Sequence, residues 1–184
     1  CAGHDLRQMR AHHAQEYYQA LFSRCSELMR GLIQLPVPVI ARVQGLATAA
    51  GCQLVATCDL AVSARSARFA VSGVNLGLFC STPSVALSRN VARKRAFEML
   101  VTGEFIDAET ALDYGLVNHV MDDDALDDGI ARLTSSIVAK PRIAVETGKR
   151  MFYRQVETNL EAAYAYAGEV MACNMMSADT VEGV

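Results

Sequence analysis

The chain has 184 residues, 52% of them hydrophobic, and a formal net charge of −3. That size and composition suit one domain with a real core, or most of one. A weakly acidic chain without a long basic run argues against a nucleic-acid partner, and the longest nearly uncharged stretch, Gly31 to Leu60, is broken by Pro36, Pro38, Arg42 and glycines, which excludes a membrane span there.

No signal-peptide pattern and no initiator Met open the chain, so Cys1-Ala2-Gly3 is expected to follow an N-terminal part outside this sequence. Ala14 to Leu35 reads as a helix, with Tyr17, Leu21, Cys25, Leu28 and Leu32 on one face at three- and four-residue steps. Pro36 and Pro38 end it. Val39 to Val43 is β-branched and almost wholly apolar, which predicts a short strand buried on both faces. Gly45 breaks it. Ala47 to Ala56 is small and Ala-rich, a tight turn running into a buried helix. Asp59 to Ser63 and Phe69 to Val71 are further short strands. Gly73 to Thr82 reads as a polar loop. Helices follow at Pro83 to Asn90 and Ala92 to Thr102, with Gly103 as a left-handed cap. Asp107 caps a helix over Ala108 to Tyr114 that Gly115 ends. Val117 to Val120 is a strand, and Ala125 to Ala139, Pro141 to Val156 and an amphipathic Leu160 to Met176 are helices. Strands alternating with helices predict an α/β fold, and the strand-poor end predicts a helical annex.

Cys1, Cys25, Cys52, Cys58, Cys80 and Cys173 show no CxxC spacing and read as buried free thiols of a reducing compartment. His4, His12, His13 and His119 have no metal-ligand spacing, so no metal site is expected.

Two segments carry chemistry. One is Cys1-Ala2-Gly3-His4-Asp5-Leu6. The other runs from Pro38-Val39-Ile40-Ala41-Arg42-Val43-Gln44-Gly45 through Ala49-Ala50-Gly51-Cys52-Gln53-Leu54 to Thr57-Cys58-Asp59-Leu60. Small residues let a loop turn sharply into a helix whose first N–H groups have no internal partner and carry the positive end of the dipole. Such an N–H can donate to an oxyanion. The same small residues also serve close helix–strand packing, and composition does not separate the two uses.

These segments, with the later run Met99 to Ala108, Ala111 and Gly115-Leu116-Val117, closely resemble the enoyl-CoA hydratase/isomerase (crotonase) superfamily over most of residues 1–121. The resemblance implies the crotonase spiral of ββα turns over 1–121 and a C-terminal helical trimerisation region over 122–184, with the family's first strands absent from the sequence. It implies an acyl-CoA thioester as substrate, no further cofactor, and two backbone N–H groups, at His4 and Ala50, that stabilise the thioester enolate or oxyanion. Ala2, Gly51, Asn75 and Ser81 fall along the substrate side. Arg7 falls where the family often has Lys, so it either meets a CoA phosphate or is an ordinary solvated cation. A homotrimer or hexamer is implied, cytoplasmic in a bacterium and mitochondrial in a eukaryote.

The two carboxylates that hydratases use fall on Gln53 and Gly73. Neither residue exchanges a proton near neutral pH. Between Glu27 and Glu98 the one acidic residue is Asp59, at a position where the family's aspartate is structural. Hydration is therefore expected to be weak or absent, and Gln53→Glu with Gly73→Glu to raise it. Cys80 is a candidate nucleophile or a packed loop thiol. A non-catalytic acyl-CoA-binding or regulatory protein is the alternative, and a scaffold that binds no CoA is a third reading.

Overall fold

The computed structural model describes residues 1–177 and Thr180. In chain order, Asp5 caps α1 (Leu6–Ala11) by accepting the N–H groups of Arg7 at 2.8 Å and Gln8 at 3.2 Å. The long α2 (Gln15–Gln34) follows, and then β1 (Ile40–Val43), β2 (Leu46–Thr48) and α3 (Ala50–Thr57). Next come β3 (Leu60–Ala64), β4 (Arg68–Ala70), a 3₁₀ turn over Ser72–Leu76, α4 (Ser81–Asn90) and α5 (Arg93–Thr102). The chain continues through β5 (Ile106–Asp107), α6 (Ala108–Asp113), β6 (His119–Met121), α7 (Leu126–Val138), α8 (Arg142–Gln155) and α9 (Leu160–Met175).

The strands form two small sheets. The first is parallel, in order β1-β3-β6, with Ile40 opposite Leu60 and Val62 opposite His119. The second has order β2-β4-β5, parallel between β2 and β4 and antiparallel between β4 and β5. This is the expected α/β class. Cys1–Ile33 with Val39–Ile130 makes one compact unit, and Gln34–Pro38 with Ala131–Val184 makes another.

Both sheets belong to the first unit, and so does its core. Phe69, Val71, Leu87 and Cys52 are fully buried, with Val43, Val55, Met99 and Leu100 around them. Asp59 has the structural role expected of it, accepting the Val39 N–H at 2.6 Å at the entry to β1. Asp107 caps α6 through the Thr110 N–H at 2.8 Å. Gly103 and Gly115 take the left-handed conformation, at φ 64° and 78°, where their helices end. In the second unit, Lys149 is buried and donates Nζ to the Val37 carbonyl at 2.9 Å, and Arg154 lies over the Tyr166 ring.

Several expectations are corrected. β1 is not buried on both faces: it is an edge strand, and Arg42 points out to pair with Asp127 at 2.6 Å. The polar loop expected over Gly73 to Thr82 is ordered at both ends, its start within the 3₁₀ turn Ser72–Leu76 and its last two residues within α4. Of the cysteines, all free, only Cys52 and Cys80 are buried; Cys1 and Cys173 are exposed. α9 lacks one apolar face and one polar face. Apolar residues surround it, and of its described residues only Ala163 is buried.

Candidate functional site

The turn from β2 into α3 is built against the first residues of the chain. Cys1 donates its N–H to the Leu46 carbonyl at 2.8 Å, and the Thr48 N–H donates back to the Cys1 carbonyl at 3.0 Å. The opening segment thus lies along β2 like an added strand. Contact between backbones is tight enough to dictate residue type. A Cβ on Gly51 would sit 2.0 Å from the Cys1 carbonyl oxygen. Gly3, at φ 90°, would place its Cβ 3.1 Å from the Ala49 Cβ and 3.3 Å from the Ala50 nitrogen. Only glycine fits at either position.

Ala49 carries the strain of this junction. It sits at φ 51° and ψ −119°, a region that residues with a Cβ avoid. It is held there by donating to the Ala70 carbonyl and accepting from the Gln53 N–H, each at 3.0 Å. One strained residue lets the chain leave β2 and enter α3 without a loop, so Ala50 starts the helix directly beside Gly3. Neither the His4 N–H nor the Ala50 N–H donates to any acceptor among the described residues. Strain of this kind persists where the surroundings over-determine it, which is common at functional sites. The imidazole of His4 packs edge-on against Phe22, 5.8 Å between ring centroids.

Gln53 lies three residues along α3 from Ala50, on the same helix face. It is only 4% exposed, and its Oε1 has no hydrogen-bond partner among the described residues. A buried acceptor without a donor costs about 1–3 kcal/mol. Gln53→Met keeps the length of the side chain and removes that acceptor. It is expected to stabilise the ligand-free protein by about 1–2 kcal/mol, seen as a higher urea midpoint at unchanged slope.

Gly73 belongs to the 3₁₀ turn, which is tied to the junction by the Thr48 and Ser72 hydroxyls at 3.0 Å. The space a side chain would need there is filled. A Cβ on Gly73 would lie 2.5 Å from the Leu78 carbonyl oxygen and 2.7 Å from the Cys80 sulfur. Position 73 is therefore closed to a side chain by backbone, and glycine brings no acid there. Beside it in the core, the Cys52 thiol is pushed up to about 12, first by burial and then by the neighbouring Cys80, so it stays protonated.

The other predicted site residues are dispersed. Ala2 and Gly51 are part of the junction itself. Arg7 is exposed on α1 and has no ion-pair partner among the described residues. Asn75 donates its side-chain amide to the Gly103 carbonyl at 3.4 Å, bracing the 3₁₀ turn against the end of α5. Ser81 begins α4 and directs its hydroxyl to the Phe79 carbonyl at 3.3 Å. Sequence reasoning missed the strain at Ala49 and the Leu78 carbonyl behind Gly73. Alanine carries no signal for positive φ, and no residue type marks a carbonyl's direction. No cluster of His, Cys, Asp or Glu suited to a metal occurs among the described residues.

The sequence profile of the enoyl-CoA hydratase/isomerase family matches residues 1–184. This chain belongs to that family. The crystal structure of an enoyl-CoA hydratase from Mycobacterium smegmatis is 65% identical, with a TM-score of 0.98, and the match covers 100% of this chain and 71% of that one. Human enoyl-CoA hydratase domain-containing protein 3 is 46% identical in its crystal structure, with a TM-score of 0.94 over 99% of this chain and 72% of that one. The rat protein named enoyl-CoA hydratase domain-containing protein 3, mitochondrial, is 45% identical over 183 residues, 100% of this chain and 61% of its own length. This chain thus spans about three fifths of the curated relatives it matches first, 61% of the rat protein and 62% of its Xenopus laevis counterpart. A short-chain-enoyl-CoA hydratase of Clostridium acetobutylicum is 32% identical over 148 residues, 78% of this chain and 56% of its own length.

Proposed function

We propose that this protein binds an acyl-CoA thioester and polarises its carbonyl with the backbone N–H groups of His4 and Ala50, and that it hydrates enoyl thioesters weakly or not at all. The observation that carries this reading is the closeness of Gly3 to Ala50, where a Cβ added at position 3 would lie 3.3 Å from the Ala50 nitrogen, together with His4 and Ala50 N–H groups that have no acceptor among the described residues. A pair of amides fixed by a strained turn stabilises a developing oxyanion without reorganising. Ala2 and Gly51 then form the wall beside the thioester, and Arg7, exposed and without an ion-pair partner among the described residues, meets a phosphate of the CoA. Calorimetry of the full-length protein with acetyl-CoA tests this: binding is expected, while no heat and no thermal shift favours a scaffold without CoA affinity.

The orphaned Gln53 and the closed Gly73 position favour a second reading, a non-catalytic acyl-CoA-binding or regulatory protein. Hydration of crotonyl-CoA separates the two. The compartment follows the source, cytoplasmic in a bacterium and mitochondrial in a eukaryote. Assembly is proposed as a homotrimer or a pair of trimers. α9 presents Leu160, Tyr164 and Met171, and its C-cap Met176, at 69% exposure or more, an apolar surface that a partner copy would cover. Light scattering at micromolar concentration is expected to give a multiple of three, and a monomer contradicts it.

A further inference from the structure

The outer face of α5 carries cations beside exposed apolar side chains, and neither the core nor the candidate site uses them. We propose that this face docks on the surface of a bilayer rich in anionic phospholipid. The proposal stands apart from the acyl-CoA reading and does not depend on it.

α5 buries Ala96, Met99 and Leu100 and turns its other residues outward. At the α-helical repeat, Arg93, Phe97, Val101 and Lys94 fall within an arc of about 100°. Phe97 is 60% exposed and Val101 44%, and Phe105, just past the Gly103 cap, is 52% exposed. A lone exposed apolar side chain is ordinary. Phe97 and Val101 are in line on one face and bordered by cations, which is the pattern of an interfacial helix. Side chains of α5 alone line an open depression of about 870 Å³ there. No described helix is long and apolar enough to cross a membrane, and the proposed contact is with the surface.

The cations stand at the wrong end of their helix. Arg93, Lys94 and Arg95 are its first three residues, its first turn holds no acid, and Ala92 at the N-cap offers no side-chain bond. Positive side chains there oppose the helix dipole. Arg95 is compensated locally: it pairs with Glu98 at 3.3 Å and lies over the Tyr114 ring. Arg93 and Lys94 have no partner among the described residues. Glu98 is neutralised by Arg95, and Glu104 lies beyond the far end of α5. The face is therefore positive on a chain whose net charge is −3. A layer of lipid phosphates supplies the missing counter-charge, and the headgroup region takes up Phe97 and Val101. Two other occupants fit less well. A second copy docked face to face would set Arg93 and Lys94 against the same two cations. An acidic peptide helix needs a groove between elements, and here one helix supplies every wall.

The test is co-sedimentation of the full-length protein with vesicles. Vesicles of equal parts phosphatidylglycerol and phosphatidylcholine are compared with phosphatidylcholine alone. Binding is expected to the mixed vesicles only. Arg93→Gln combined with Lys94→Gln is expected to weaken it about 25-fold, roughly fivefold for each charge, and Phe97→Ser about tenfold. Removing cations from the first turn of α5 is expected to leave the urea midpoint unchanged or higher, so lost binding is not lost fold. Arg30→Gln removes an exposed cation of α2 that has no partner among the described residues, and is expected to bind like the unaltered protein. Failure to bind the mixed vesicles overturns the proposal, as does equal binding to phosphatidylcholine alone. Binding that survives the loss of Arg93 and Lys94, or that falls as far in Arg30→Gln, overturns it too. So does release from the vesicles by inorganic phosphate at constant ionic strength, which would make the face a site for soluble phosphate.

Discussion

Gly51→Ala is expected to destabilise the protein by about 3 kcal/mol and to abolish acyl-CoA binding. The added Cβ would lie 2.0 Å from the Cys1 carbonyl oxygen and 2.8 Å from its carbon, both backbone atoms. No rotamer relieves that overlap. Either the opening segment moves off β2, breaking the Thr48-to-Cys1 hydrogen bond at 3.0 Å, or α3 shifts and drags Ala50 with it. Both responses separate His4 from Ala50, so stability and binding are lost by one cause. Urea unfolding reads the first effect and acetyl-CoA calorimetry the second. Gly148, inside α8, supplies the contrast: nothing lies within 4 Å of its Cβ position. There the same substitution is expected to be neutral or stabilising, because alanine is the better helix former. Full binding by Gly51→Ala would show that the junction does not hold the thioester.

Hydration of crotonyl-CoA is expected to be at least ~10²-fold slower than in a hydratase with both carboxylates, since each general acid or base contributes ~10²–10⁴-fold. Gln53→Glu supplies one of them on an already ordered helix and is expected to raise the rate. Adding Gly73→Glu is where sequence and structure part. By alignment the pair should act together. In the fold, a side chain at position 73 meets the Leu78 carbonyl oxygen at 2.5 Å and the Cys80 sulfur at 2.7 Å. The thiol can turn away, but the carbonyl moves only with its loop. The double variant is therefore expected to melt lower than Gln53→Glu alone and to hydrate no faster, followed as loss of the enoyl absorbance. A wild-type rate equal to that of an ordinary hydratase would contradict the roles given to Gln53 and Gly73.

The long elements could be read from the sequence because their signals are local. Apolar spacing marks α2, prolines end it, Asp107 caps α6, and Gly103 and Gly115 stop their helices. Short strands were read less completely. β2 and β5 are three and two residues long, and their pairing with β4 depends on contacts across the chain. β1 looked doubly buried because its residues are apolar, yet burial depends on strand order, and β1 lies at an edge. Candidate site residues divide in the same way. The small residues themselves mark the turn at Ala50, whereas its role, and Gln53 altogether, came from the family resemblance. Nothing in residue type shows that Asn75 would turn to Gly103, Ser81 to Phe79, or the Leu78 carbonyl to Gly73. Those are choices of loop backbone, and they decide why a carboxylate cannot simply be placed at position 73.

The most direct measurement is a crystal structure of the full-length protein with butyryl-CoA bound. The thioester oxygen is expected within about 2.7–3.1 Å of both the His4 and the Ala50 nitrogens, the range of a working oxyanion hole. A thioester held elsewhere, with those two N–H groups facing solvent or other protein atoms, would contradict it.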